Sequence, residues 1–68
     1  MAVFAKVVSL NEMFRFSELT VGGLYEALDP GEIGRELDYD FALIDDDGDK
    51  MPFKWDGDIE AEFERVEM

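Results

Sequence analysis

The sequence predicts an all-β fold, a small five-stranded barrel that forms one domain over residues 1–68. Two observations lead to this prediction. Asp47-Gly48 stands between two apolar runs, which is typical of a tight β-hairpin. The remaining apolar runs are short, rich in β-branched and aromatic residues, and separated by turn residues such as Gly22-Gly23. No cysteine is present to staple so small a chain, so packing of its apolar side chains must stabilise it.

The hairpin register follows from which side chains face each other. A two-residue loop would place Phe41 opposite Lys54, whereas a three-residue loop, Asp46-Asp47-Gly48, shifts the pairing by one residue. The second register predicts these pairs: Leu43 with Met51, Phe41 with Phe53, and Tyr39 with Trp55. It is preferred because all six large apolar side chains then share one face. Asp45 would open a type I turn and Gly48 would take the left-handed position.

The other elements follow from composition and turn signals. Strands are expected at residues 2–8, 24–28, 36–45 and 49–55. Residues 11–17 favour a short extended excursion, because Phe14 and Phe16 flank Arg15 with period two; the alternative, a helix capped by Asn11, would lack length. Residues 29–32 should form a turn around Pro30. Segment 59–66 should be extended, or should form a 3-10 turn that runs into a short last strand. Five strands, a long first connection and a 3-10-like element before the last strand together predict an SH3-like barrel.

Three segments carry a resemblance to a known class of proteins. They are 19–28 (LTVGGLYEAL), 44–49 (IDDDGD) and 63–66 (FERV), and they span roughly the last fifty residues. The pattern resembles small acidic bacteriophage accessory proteins with an SH3-like fold. The resemblance implies a protein that binds and inhibits host machinery. It brings no catalytic residue with it, because its motifs are strand and turn signals.

The charge of the chain points to the class of partner. Eighteen acids against six bases give a net charge of −12. Residues 36–68 hold thirteen of the acids and three of the bases, a net charge of −10. Such a charge repels nucleic acid and anionic membranes and attracts basic proteins. It also exceeds the magnitude of about 2–8 that keeps a small domain soluble.

The predicted function is therefore inhibition of a basic host DNA-binding protein by DNA mimicry, with carboxylates standing where a duplex displays phosphates. The target would be a topoisomerase such as gyrase, a nucleoid protein, a nuclease or RNA polymerase. Asp56, Asp58, Glu60, Glu62 and Glu64 alternate, so in a strand they would form one stripe. The other predicted contact residues are a second stripe and the hairpin tip: Asp38, Asp40, Asp45, Asp46, Asp47 and Asp49.

Two other classes of function compete with mimicry. An SH3-like interaction module could use an aromatic groove of Tyr25, Tyr39 and Trp55, although the hairpin register favours the last two as core. An enzyme is not expected, because the chain has no His or Cys and no cofactor motif. The hairpin tip lacks both end ligands of a calcium loop, so no metal or other cofactor is expected. We expect a cytoplasmic protein, monomeric or homodimeric, that binds neither membrane nor nucleic acid directly.

Overall fold

The computed structural model describes residues 2–68, in which five strands form two antiparallel sheets. The strands are β1 (Val3–Leu10), β2 (Leu24–Glu26), β3 (Phe41–Ile44), β4 (Lys50–Phe53) and β5 (Ala61–Glu67). A 3-10 turn at Glu12–Phe14 and a helix α1 at Gly31–Glu36 complete the elements. The mostly β class is thus confirmed.

The two sheets are connected through one bridge. The first has the order β2-β1-β5, and the second consists of β3 and β4. Leu28, just beyond β2, exchanges two backbone hydrogen bonds with Ala42 of β3, at 2.7 and 2.9 Å. Across residues 2–68 the strands do not close into a barrel, so the sequence-based prediction holds for the number of strands but not for closure.

The core lies between the inner faces of the two sheets. Ala5 and Val7 of β1 alternate with exposed Lys6 and Val8, as expected for a strand with one buried face. From the hairpin, Phe41, Leu43 and Phe53 are almost completely buried. Each such side chain contributes about 1.5–3 kcal/mol of hydrophobic stabilisation.

An aromatic cluster fills the space between the hairpin and β5. The ring of Phe41 stacks on Trp55 at 4.0 Å between centroids and meets the edge of Phe63 at 5.4 Å. Phe53 also meets Phe63, at 4.9 Å. Offset and edge-on geometries of this kind add about 0.5–1.5 kcal/mol beyond the buried area. The cluster fixes β5 against the second sheet.

The predicted hairpin register is confirmed for the strand pairs. Phe41 pairs with Phe53 and Leu43 with Met51. The backbone N–H of Gly48 donates to the carbonyl of Asp45 at 3.0 Å, and Gly48 has φ 88°. The turn residues and the alternation of apolar side chains act locally, which is why the sequence is sufficient to predict them.

The third predicted pair, Tyr39 with Trp55, is wrong. The Tyr39 N–H donates to the carbonyl of Gly34 at 2.9 Å, so the chain leaves the hairpin there and turns towards α1. Trp55 instead stacks on Phe41. Its backbone N–H donates to the carboxylate of Asp40 at 2.9 Å, so a side-chain acceptor takes the place of the backbone carbonyl that the predicted pair would supply.

Helix α1 and the 3-10 turn correct the sequence-based prediction in two further places. Residues 31–36 were expected to contain a turn and the start of a strand, but they are helical and follow Pro30. The 3-10 turn lies at Glu12–Phe14, capped by Asn11, and not near residue 59. Both elements are short and leave large apolar side chains exposed, so their periodicity is weak. In the last segment, the extended alternative is confirmed from Ala61 onwards.

Replacing Gly48 with valine should destabilise the protein by about 1–3 kcal/mol, because β-branched side chains are strained at positive φ. A Cβ at this position would meet no atom within 4 Å, so the loss would come from the backbone alone. Gly48→Asn is the matched control, since asparagine tolerates this region better. Urea unfolding measures both variants. Equal stability of Gly48→Val and the parent protein would contradict the turn assignment.

Candidate acidic interaction surface

The predicted contact acids fall into three groups according to how far each side chain is exposed to solvent. Two of them, Asp45 and Glu60, are buried, with 6% and 3% of their surface exposed. Asp58 is half-buried. The exposed ones are Asp38, Asp40, Asp46, Asp47, Asp49, Asp56, Glu62 and Glu64. The set is therefore not one continuous surface.

Asp45 organises the hairpin turn from inside it. Its Oδ1 accepts the backbone N–H groups of Asp47 and Asp49, at 3.0 and 2.9 Å. Its Oδ2 accepts the N–H of Glu18 from the β1–β2 loop, at 3.1 Å. Short polar side chains at the start of a turn commonly bond their own backbone in this way. Asp45 is thus buried and supports the backbone of the turn, so it does not belong to the exposed acids.

The charge state of Asp45 follows from the same contacts. Burial disfavours the carboxylate, but the N–H groups of Asp49, Glu18 and Asp47 outweigh that effect and hold its pKa below the ordinary value. Asp45 is therefore ionised at neutral pH and accepts hydrogen bonds at both oxygens.

Glu60 ties the segment before β5 to the β1–β2 loop. Its Oε2 accepts the backbone N–H of Ser17 at 2.9 Å and also the Ser17 hydroxyl. The carbonyl of Glu60 accepts the N–H of Asn11 at 2.8 Å. Residues 59–60 form a bend and β5 starts at Ala61, so the predicted stripe from Asp56 to Glu64 is interrupted.

Three other predicted acids each accept hydrogen bonds from nearby groups. Asp46 accepts the hydroxyls of Thr20 and Tyr25, at 2.8 and 2.9 Å. Asp40 binds the backbone N–H of Trp55, and Asp58 accepts the N–H of Glu60 at 3.2 Å. Their remaining lone pairs can still meet a partner. The hydroxyl of Tyr25, the first residue of the predicted aromatic groove, is thus engaged by Asp46.

The second predicted stripe, Asp38 and Asp40, is not formed. Strand β3 begins only at Phe41, and Asp38 adopts a left-handed conformation with φ 64°. Alternation along a strand therefore does not apply to this pair.

Two groups of exposed acids remain as the candidate surface. The tip group comprises Asp46, Asp47 and Asp49. The β5 group comprises Asp56, Asp58, Glu62 and Glu64, of which Asp58 is half-buried. Glu62 and Glu64 point to the same side of β5, and Glu64 lies opposite Lys6 of β1.

The β1–β2 loop connects the two groups. Ser17 is bonded to Glu60 beside the β5 group, and its neighbour Glu18 is bonded to Asp45 below the tip group. Segments that are 27 and 43 residues apart in sequence therefore meet at positions 17 and 18. No pattern in the local sequence predicts this connection.

Basic side chains neutralise little of the negative charge of the tip group and the β5 group. The arginines are the basic members of every ion pair found among residues 2–68: Arg15 pairs with Glu12 and Glu18, Arg35 with Asp29, and Arg65 with Glu67. None of these acids belongs to the tip group or the β5 group. The two groups therefore keep their negative charge without a direct ion pair in this part of the chain.

Between residues 2 and 68, no cluster of three or more His, Cys, Asp or Glu side chains is placed to hold a metal ion. The oxygens of Asp45 face N–H donors, which is the opposite of a cation site. No helix in this range is long and apolar enough to cross a membrane.

The chain matches no protein-family model, no curated protein and no solved structure.

The lowered pKa of Asp45 predicts acid sensitivity. Its folded pKa lies below the unfolded value of about 3.9, so its contribution to stability is present above about pH 4 and is lost as pH falls through the folded pKa. Urea unfolding from pH 7 to acidic pH should therefore show a steeper loss of stability below pH 4 in the parent protein than in Asp45→Asn, which cannot titrate there. Parallel pH profiles would contradict this assignment.

Proposed function

We propose that this protein binds the basic DNA groove of a bacterial DNA-binding protein and blocks it by DNA mimicry. The observation that carries the proposal is the arrangement of the tip group and the β5 group, two sets of carboxylates that form no ion pair within residues 2–68 and are connected through Ser17 and Glu18. A net charge of −12 adds long-range attraction to a basic groove. The partner would be a topoisomerase of the gyrase kind, a nucleoid protein, a nuclease or RNA polymerase.

The spacing of the carboxylates on β5 is of the same order as the spacing of phosphates along a DNA strand, which supports mimicry. Glu62 and Glu64 project from one side of β5, about 6.6–6.8 Å apart along the strand. Phosphates on one DNA strand rise by about 3.4 Å along the axis and follow a longer path around the helix. The tip group would supply the contacts beyond β5.

The proposed fold is an SH3-like, partly open barrel, in line with the resemblance to small phage accessory proteins. The Leu28–Ala42 bridge supports it, because it places the five strands in the continuous order β5-β1-β2-β3-β4. An inhibitor of this kind would act in the cytoplasm of the host cell.

One observation favours the alternative, an SH3-like interaction module without mimicry. Tyr39 and Pro52 line an apolar groove of about 200 Å³ beside Ile33 of α1 and Leu37, which follows the helix. A groove of this kind could take an apolar peptide. Mimicry is preferred because it uses the charge of the chain, which the groove leaves unexplained.

The proposal is tested by neutralising Glu62 and Glu64 with glutamine. Both are exposed, so the fold should be retained. Glu32→Gln with Glu36→Gln is the matched control, because it removes the same charge from the exposed side of α1. The chain is immobilised, and purified topoisomerase, nucleoid protein, nuclease and RNA polymerase are passed over it at several salt concentrations.

We expect at least one of these proteins to bind and its affinity to fall with salt. The Glu62/Glu64 variant should bind it about tenfold more weakly, whereas the Glu32/Glu36 variant should bind nearly as the parent does. Equal losses in both variants would mean that net charge alone is responsible. Absence of binding to the whole panel would contradict the proposal. Asp58 and Glu60 are left unchanged because both support the backbone.

A further inference from the structure

The loop between β1 and β2 exposes three large apolar side chains within four residues. Met13 is 82% exposed, Phe16 71% and Phe14 37%. Single exposed apolar residues are common on protein surfaces, but a local group of them marks an interaction site more often. Methionine and phenylalanine are also enriched in protein–protein interfaces. We name residues 12–16 the display loop.

Hydrogen bonds hold the display loop at both ends. The Asn11 side chain accepts the N–H of Met13 at 3.0 Å and donates to the carbonyl of Ile59 at 3.2 Å. At the other end, Ser17 is held by buried Glu60. The apolar side chains are thus presented on a fixed backbone, and a fixed backbone loses less conformational entropy when a partner binds.

Acidic side chains lie within and beside the display loop. Arg15 lies 3.3 Å from Glu12 and 3.8 Å from Glu18, so its charge is already compensated and the three residues together carry −1. Glu12 also lines one surface hollow with Asp58 and Glu62 of the β5 group. Exposed apolar side chains with carboxylates beside them are complementary to an apolar pocket with a basic border.

We infer that the display loop is the apolar anchor by which this chain docks on a basic protein surface, with Phe16 and Met13 entering an apolar pocket bordered by Lys and Arg. This inference rests on the proposed function for the basic character of the partner. It adds that carboxylates alone do not make the contact. Buried aromatic anchors commonly provide most of the binding energy of an interface, with charged contacts at its rim.

The test uses two synthetic peptides, one of alternating leucine and lysine and one oligolysine with the same number of lysines. Both are titrated into isotope-labelled protein while backbone amide signals are followed. The leucine–lysine peptide should bind about tenfold or more tightly than oligolysine, and should shift the amides of residues 12–16 and 58–62. Phe16→Ser should abolish this preference. Ile33→Ser, on α1 and 72% exposed, is the matched control and should retain it.

Equal affinity for the two peptides, shifts centred on the groove beside α1, or an equal loss in Ile33→Ser would overturn the inference. The two proposals fail separately. If a panel protein is lost by the Glu62/Glu64 variant but bound normally by Phe16→Ser, the anchor is wrong and the proposed function stands. If the peptide preference is found but no panel protein binds, the proposed function is wrong and the anchor stands.

Discussion

Replacing Asp45 with alanine should lower the free energy of unfolding by about 3 kcal/mol, because three backbone N–H groups lose their acceptor together. That is a large part of the roughly 5–15 kcal/mol that stabilises a native domain. The loss should appear as a lower urea midpoint with an unchanged slope. Asp45→Asn keeps one oxygen acceptor, so its loss should be smaller.

Asp47→Ala is the matched control for this prediction. Asp47 belongs to the same turn, carries the same charge and is exposed. It should change stability by about 0.5 kcal/mol or less. Equal effects of Asp45→Ala and Asp47→Ala would show that Asp45 contributes charge and not structure.

Replacing Glu60 with alanine should lower the free energy of unfolding by about 2–3 kcal/mol, since the N–H of buried Ser17 would lose its acceptor. The β1–β2 loop would also lose its attachment to the segment before β5. Amide hydrogen exchange of residues 11–18 should therefore accelerate more than exchange in the β3–β4 hairpin.

A double-mutant cycle of Glu60→Ala with Ser17→Ala isolates the contribution of the hydroxyl. The two side chains share a hydrogen bond, so their effects should be less than additive. Glu62→Ala, two residues along and exposed, should leave both stability and exchange nearly unchanged. Strict additivity in the cycle, or a large effect of Glu62→Ala, would contradict the structural role of Glu60.

The hairpin illustrates what the sequence is sufficient to predict. Turn chemistry at Asp45 and Gly48 and the alternation of Phe41 and Leu43 are local signals, and they fix the register. The pairing fails only at Tyr39, where the chain turns towards α1. Helix α1 could not be predicted because it has six residues and its one large apolar side chain, Ile33, is exposed, so no apolar periodicity marks it.

The candidate surface was predicted less completely than the hairpin. The sequence itself places thirteen of the eighteen acids in residues 36–68. It does not separate exposed acids from Asp45 and Glu60, whose partners Glu18 and Ser17 lie 27 and 43 residues away. One signal was available in the sequence. An Asp that opens a tight turn often accepts its own backbone N–H groups, which would have marked Asp45 as structural.

The acids of the second half therefore have two roles. Asp45 and Glu60 hold the hairpin tip and the segment before β5 against the β1–β2 loop. The structure they support carries the tip group and the β5 group, to which we assign the contact with a basic partner. A variant of Asp45 or Glu60 that loses binding would therefore need a stability measurement as well, because the fold itself could be affected. Variants of Glu62 and Glu64 should not change stability in this way.

Competition with duplex DNA tests the central proposal most directly. A DNA-binding protein retained by the immobilised chain is challenged with increasing duplex at constant salt. If the chain occupies the DNA groove, duplex should displace the bound protein. Once the duplex concentration exceeds the dissociation constant of the duplex–protein complex, the apparent affinity of the protein for the chain should fall in proportion to the duplex concentration. A stable ternary complex of chain, protein and duplex would contradict DNA mimicry.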